Sequence, residues 1–299
     1  MPLDSHNSAF SRVTALASRR AIHAAFAWLH GNPKTIMDWQ TGLVAIPAPP
    51  FGEAARSEWL AARFAEIGLS GIETDEVGNV FGVLAAGWPP AKTSSGRATA
   101  PESGTASGSA HASADASLAA SVSAGGGPVV MLSAHVDTVF PAETPLNPVV
   151  DGDRLTAPGA CDNGAGVAGM LAIAQALLKS KAEVPVPLVF MGNVGEEGEG
   201  DLRGVRHLYD ANPLARRIAA HIVLDGAGAE SAVTQALGSR RFRVTVSGPG
   251  GHSFTDAGTP NPIAALASAL SVLAQTELPE QPRTTLNVNT PGRAGGLIM

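Results

Sequence analysis

Apolar positions along this chain follow two rhythms, and the changes between them mark its elements. Ile22, Ala25, Phe26 and Leu29 recur at helical spacing, as one face of a 3.6-residue helix requires. A second helix is expected over 35–45. Ile46-Pro47-Ala48-Pro49-Pro50-Phe51-Gly52 reads as an ordered loop, because its three prolines fix the backbone and forbid helix. Residues 53–67 then form an amphipathic helix with Ala54, Trp59, Leu60, Phe64 and Ile67 on one side, ended by Gly68. Short strands are expected at 72–75 and 79–84.

Continuous apolar runs at 129–134, 186–191 and 221–225 read as strands covered on both faces. Helices over 167–178 and 202–209 separate them. Buried strands alternating with helices imply an α/β fold, a mixed, largely parallel sheet sandwiched by helices. From about Ser239 the rhythm changes. Residues 241–246 and 284–289 alternate polar and apolar like half-exposed antiparallel strands. Residues 261–274 form an Ala/Leu helix begun by Pro262. The expected organisation is a metal-binding catalytic domain over 1–238 and a smaller, partial α+β lid or dimerisation domain over 239–299. Within the first, residues 88–128 are dominated by Ser, Ala, Gly, Thr and Pro. Such a segment buries too little apolar surface to offset its ordering entropy, so it reads as a disordered insertion carrying an idle His111.

Composition narrows the function classes. A net charge of −6 and no Lys/Arg stripe give nucleic-acid binding no electrostatic support. No apolar run in the sequence approaches the roughly 18–20 residues of a membrane helix. Cys161 is the only cysteine, so there is no internal disulfide. Arg19-Arg20 before an apolar stretch imitates a twin-arginine signal, but His23 interrupts the stretch and no small-residue cleavage site follows. The expected location is cytoplasmic.

Functional groups in open α/β sheets gather beyond the carboxyl ends of the strands. The first buried run leads into His135 and Asp137, the second into Glu196-Glu197, the third into Asp225; a Gly-rich loop carries Asp162 into the next helix. One such residue means little. Four converging on one sheet edge would repel unless a divalent cation resolved the repulsion. One imidazole with three carboxylates suits zinc, with manganese or cobalt possible.

These residues resemble the di-zinc hydrolases of the acetylornithine deacetylase, succinyl-diaminopimelate desuccinylase, carboxypeptidase G and tripeptidase family. The resemblance is carried, in order, by Ala134-His135-Val136-Asp137-Thr138-Val139-Phe140-Pro141, Gly159-Ala160-Cys161-Asp162-Asn163-Gly164-Ala165-Gly166, Gly195-Glu196-Glu197-Gly198-Glu199-Gly200 and Gly248-Pro249-Gly250-Gly251-His252-Ser253. It implies a zinc-exopeptidase-like fold and two Zn2+ ions. His135 and Asp225 would hold one, Glu197 the other, and Asp162 would bridge them. By the same resemblance Glu196 would be the general base, Asp137 would hydrogen-bond the free nitrogen of His135, and His252 would polarise the carbonyl. A small peptide or N-acyl amino acid is the implied substrate, and a homodimer through the lid the implied assembly. Arg240, Arg241 and Asn261 are candidates to bind a substrate carboxylate, with surface or capping roles equally open.

Gly164-Ala165-Gly166-Val167-Ala168-Gly169 matches a dinucleotide fingerprint, but a loop precedes it rather than a strand. These glycines read as close packing around the Asp162 loop. Cys161 reads as a packed thiol with no activating base. His221 lies four strand residues from Asp225, roughly 13 Å, too far to share an ion. The family pattern also includes a return segment that supplies a final His, and the chain stops inside the expected lid. A catalytically impaired fragment or binding module is therefore the competing expectation.

Overall fold

The computed structural model describes residues 4–85, 87, 118, 127–226, 228, 230–240 and 242–288. The Ser/Ala/Gly-rich stretch expected over 88–128 lies outside the described residues, save Leu118, Gly127 and Pro128, as do His111 and Arg241.

Four helices come first: α1 (Asp4–Ala17), α2 (Arg20–Gly31), α3 (Pro33–Val44) and α4 (Ala54–Ile67). α1 was not anticipated; its Phe10, Val13 and Leu16 are exposed. Gly68 ends α4 at φ 94, a left-handed cap that any side chain would strain. The strands are β1 (Ser70–Thr74), β2 (Val80–Leu84), β3 (Val129–His135), β4 (Val149–Asp151), β5 (Arg154–Thr156), β6 (Leu188–Asn193) and β7 (Ile218–Val223). Helix α5 (Gly166–Ser180) precedes β6, and α6 (Arg203–Asp210) follows it.

Five strands form one sheet in the order β1-β2-β6-β3-β7. β3 runs parallel to both β6 and β7, while the β1–β2 and β2–β6 pairings are antiparallel. The sheet is mixed, as expected, and its parallel half leads to the candidate donor residues. β4 and β5 form a separate hairpin turned at Gly152, which the apolar pattern did not reveal.

Alternation along β3 explains the layers. Leu132 and Ala134 face a core with Leu43, Leu60, Phe64, Met170, Leu171 and Phe190. Val129 and Met131 face the other core, with Phe81, Met191 and Leu208. Helices α3, α4 and α5 thus cover one face and α6 the other. Phe64 is fully buried; burying such a side chain contributes about 1.5–3 kcal/mol. Among the described residues the segment Ala160–Ser180 is long and apolar enough to cross a membrane by composition, which corrects the reading of no such run. In the fold it is a core helix, with Val167, Met170, Leu171 and Ala174 buried.

β7 differs from expectation. It begins at Ile218, and its Ala219, Ala220, Ile222 and Val223 are exposed. It pairs only with β3 among the described residues, so it is an edge rather than a doubly covered strand.

The chain divides into two compact units, Met1–Ala227 and Gly228–Met299, a boundary earlier than the 238/239 junction read from the sequence. In the second unit α7 (Pro262–Leu273) forms, capped by the Asn261 side chain, which accepts from the Ile263 and Ala264 N–H groups at 2.8 and 3.1 Å. The strands expected there do not form at 242–246 or 284–288. An alternating segment becomes a strand only with a ladder partner, and neither segment has one among the described residues.

Candidate metal centre

The carboxyl end of the parallel half-sheet gathers the donors. His135 closes β3, the turn after β6 carries Glu196 and Glu197, and Leu224-Asp225 follow β7 directly. Asp162 sits in a turn of irregular helix, Ala160–Ala165, that opens α5. His135 Nε2 lies 2.9 Å from Asp162 Oδ1 and 3.7 Å from Asp225 Oδ1. One ligand atom each from His135, Asp162 and Glu197 falls within 4.8 Å of the others. All four sequence-expected metal ligands therefore meet at one place, with Asp225 reaching it through His135.

The electrostatics fit a cation. Burial disfavours a charged His135, yet hydrogen bonds to Asp137, Asp162 and Asp225 push its imidazole up to about 12. Glu197 is pushed up to about 7, by burial first and then by Asp162 and Glu196. A histidine gripping a proton between carboxylates, beside a carboxyl that resists ionising, is what a donor set for a divalent cation looks like without its charge.

Asp137 does more than the resemblance implied. It is fully buried, and its Oδ1 and Oδ2 accept the backbone N–H groups of Glu196 and Glu197 at 3.0 and 2.8 Å. Its carboxylate stands 3.5 Å from His135 Nδ1, while the nearer partner of that nitrogen is the Asp137 carbonyl at 3.1 Å. A proton on Nδ1 donated to that carbonyl leaves Nε2 free to ligate. Although burial raises the Asp137 carboxyl, its bonds to His135, Glu197 and Glu196 outweigh this and hold it below the usual carboxylate range. Glu196, which accepts no metal role in this arrangement, is pushed up chiefly by burial.

Three further residues frame the site, and spacing alone did not single them out. Asn163 is buried; its Nδ2 donates to the Leu224 carbonyl at 2.8 Å and its Oδ1 accepts from Gly166 N–H at 3.1 Å. It thereby ties the Asp162 turn to the residue before Asp225. A Cβ on Gly166 would meet Asn163 Oδ1 at 2.0 Å and the Leu224 carbonyl at 2.5 Å, and one on Gly164 would meet Val44 at 2.6 Å, so these two glycines serve close packing, while a Cβ on Gly169 would meet nothing within 4 Å. Arg56, also buried, donates to the Ile46 and Val136 carbonyls at 2.8 and 2.9 Å, bracing the proline loop against the His135–Asp137 segment. Arg203 lies against Gly195 and ion-pairs with Glu53 at 2.7 Å.

Other expectations resolve plainly. Cys161 is exposed rather than packed, because the Asp162 turn displays it. Among the described residues His221 joins no group of possible metal ligands: its Nδ1 is 2.8 Å from Tyr209 Oη and its Nε2 is 2.8 Å from Ser133 Oγ. His252 lies exposed in the second unit, where its backbone N–H donates to Asp256 Oδ2 and its Nδ1 accepts from Phe254 N–H at 3.2 Å.

Fold and donor set together define a class of α/β sandwich with a carboxylate-rich candidate metal centre at its strand ends. More particularly, a sequence profile of peptidase family M28 matches residues 118–278, more than half of the chain, and the chain belongs to that family. No curated protein matches it. Among solved structures, the di-peptidase Dug1p from Saccharomyces cerevisiae shares the fold at a TM-score of 0.52 and 15% identity, covering 83% of this chain and 52% of that one. A tripeptidase from Staphylococcus aureus matches at TM-score 0.43 and 18% identity, covering 66% of this chain and 44% of its own. Aminopeptidase PepT from Bacillus cereus matches at 0.43 and 19%, covering 66% and 44%. The chain thus spans about half the length of the solved structures it matches.

Proposed function

We propose that this chain carries the catalytic centre of a zinc-dependent peptidase acting on small peptides or N-acyl amino acids, with Glu196 as general base. The observation that carries this reading is the Asp137 carboxylate, which holds the N–H groups of both Glu196 and Glu197. With adjacent residues pinned from one side, Glu197 is free to join His135 and Asp162, and Glu196 is left beside the donors instead of among them.

A divalent cation bound here supplies a Lewis acid that polarises the scissile carbonyl and acidifies water. His135 and Asp225 would hold one ion, Glu197 a second, and Asp162 both. Glu196, raised by burial, takes a proton from the attacking water and passes it to the leaving amine. His252, Asp137 as imidazole partner, a homodimer through the second unit and a cytoplasmic location complete the reading as proposals. A catalytically impaired fragment or binding module is the rival of another class.

Zinc-loaded protein assayed against di- and tripeptides and N-acyl amino acids tests the reading. Glu196→Gln should retain zinc and lose about 10²–10⁴-fold in kcat, the usual worth of a positioned base. Unchanged turnover in Glu196→Gln would remove the assigned base. Peptide binding without turnover in the zinc-loaded wild type would favour the binding module.

A further inference from the structure

We infer that Phe51 is a specificity-determining residue that meets an apolar side chain of the bound peptide beside the Glu196 turn. The inference deepens the peptidase reading and rests on it.

Phe51 sits in the proline loop at φ 70 with 68% of its surface exposed. A bulky side chain at positive φ is strained, and such strain persists only where surrounding structure enforces it, most often at functional sites. An aromatic ring left outside the core recovers none of that cost by burial. Here the enforcing structure is visible. The Arg203 guanidinium lies 5.1 Å from the ring centroid, in the range of a cation–π contact. That guanidinium is fixed in turn, donating to the Val77 carbonyl at 2.6 Å and to Glu53 Oε2 at 2.7 Å, with Glu53 buried. Phe51 therefore rests one face on a rigid platform and shows the other to solvent.

The platform adjoins the catalytic turn. Arg203 N–H donates to the Gly195 carbonyl at 3.1 Å, and a Cβ on Gly195 would meet the Arg203 side chain at 2.6 Å. The Arg203 side chain thus approaches both the Phe51 ring and the residue before Glu196. The same loop is tied to the metal strand, since Thr138 N–H donates to the Ala48 carbonyl at 2.9 Å. Strain also gathers there. Of the four non-glycine residues with positive φ among the described residues, Phe51 stacks on Arg203, and Asp201 and Leu202 directly precede it. A held, exposed aromatic ring linked through Arg203 to the turn that carries the proposed base suits a leucyl- or phenylalanyl-sized substrate group, with loss of contact for glycine.

The test compares wild type, Phe51→Ala and Phe51→Leu as full, zinc-loaded chains, with circular dichroism confirming the fold. Substrates are Leu-Gly-Gly and Gly-Gly-Gly; calorimetry runs in parallel with leucine hydroxamate and glycine hydroxamate. The expected result is a drop of about tenfold or more in the Leu/Gly ratio of kcat/KM for Phe51→Ala, carried by KM, with Phe51→Leu restoring most of it. If wild type cleaves neither peptide, the tripeptide form of the reading fails and the hydroxamates decide. A similar fall in the leucine-to-glycine affinity ratio then still supports Phe51 as the contact. An unchanged ratio in the assay that reports, or no wild-type binding of leucine hydroxamate, overturns the inference.

Discussion

His135 Nε2 and Asp162 Oδ1 lie 2.9 Å apart, so the nitrogen that would ligate a metal stands within hydrogen-bond reach of a carboxylate. With its imidazole pushed up to about 12 and Glu197 to about 7, the metal-free centre binds protons that a metal must displace. Ligands coordinate in their deprotonated forms, so affinity rises with pH. The ion held by His135 would displace one proton across this range, and the ion held by Glu197 would displace one only below about pH 7. Affinity for the His135 ion should fall roughly tenfold per pH unit from pH 8 to 6, and affinity for the Glu197 ion should fall only below about pH 7, by the linkage of one proton to each. Calorimetry in buffers of different ionisation enthalpy checks this. A pH-independent affinity would sink it.

Asp137→Asn tests the pinning of the Glu pair. An amide keeps one acceptor oxygen but turns an NH2 group toward a backbone N–H that the carboxylate accepted. The Glu196–Glu197 turn should loosen, and kcat should fall about 10–100-fold, as for other partners of metal ligands. Zinc content by atomic absorption and kcat on the same preparation check it. A variant with wild-type kcat would show that the two N–H bonds do not position the pair.

Asn163→Ala should act on metal binding without touching a ligand. It removes the bonds to Leu224 and Gly166 that tie the Asp162 turn to the Asp225 strand end. Leaving the Leu224 carbonyl and Gly166 N–H without these partners costs about 1–3 kcal/mol if they stay buried. Chemical denaturation should show that loss, and zinc titration a weakening of about tenfold or more, in line with supporting residues at metal sites. Unaltered zinc affinity in a folded variant would reduce Asn163 to a packing role.

His221 gives a pH dependence remote from the centre. Burial lowers its pKa below the ordinary 6.5. The folded state then binds fewer protons than the unfolded one near that pH. Its contribution is full above about pH 6.5 and is lost as pH falls through the depressed folded value. The Tm of wild type should drop further between pH 7.5 and 5 than that of His221→Gln. Equal drops by scanning calorimetry would exclude His221 as a source.

Much of this protein is legible in one dimension. The apolar runs leading to His135, Glu196-Glu197 and Asp225, and the Gly-rich turn holding Asp162, sit where a parallel half-sheet sends its chain, so order and periodicity alone bring them to one edge. Helix α4 with its glycine cap, and α7 with its Asn261 cap, follow from local signals of the same kind. What the tertiary structure alone decided are relations between distant segments. Asp137 could be expected to serve His135, two residues away; that its oxygens reach the N–H groups of residues 196 and 197 depends on the parallel register of β3 and β6. Asn163 meeting Leu224, and Arg203 standing between Phe51 and Gly195, likewise leave no periodic trace, because hydrogen bonds and ring contacts are set by orientation, not spacing. The apolar run of β7 promised burial, and only the strand order placed it at an edge. The residues that gather as candidate donors were written in the sequence; the residues that hold them in place were decided by which strands became neighbours.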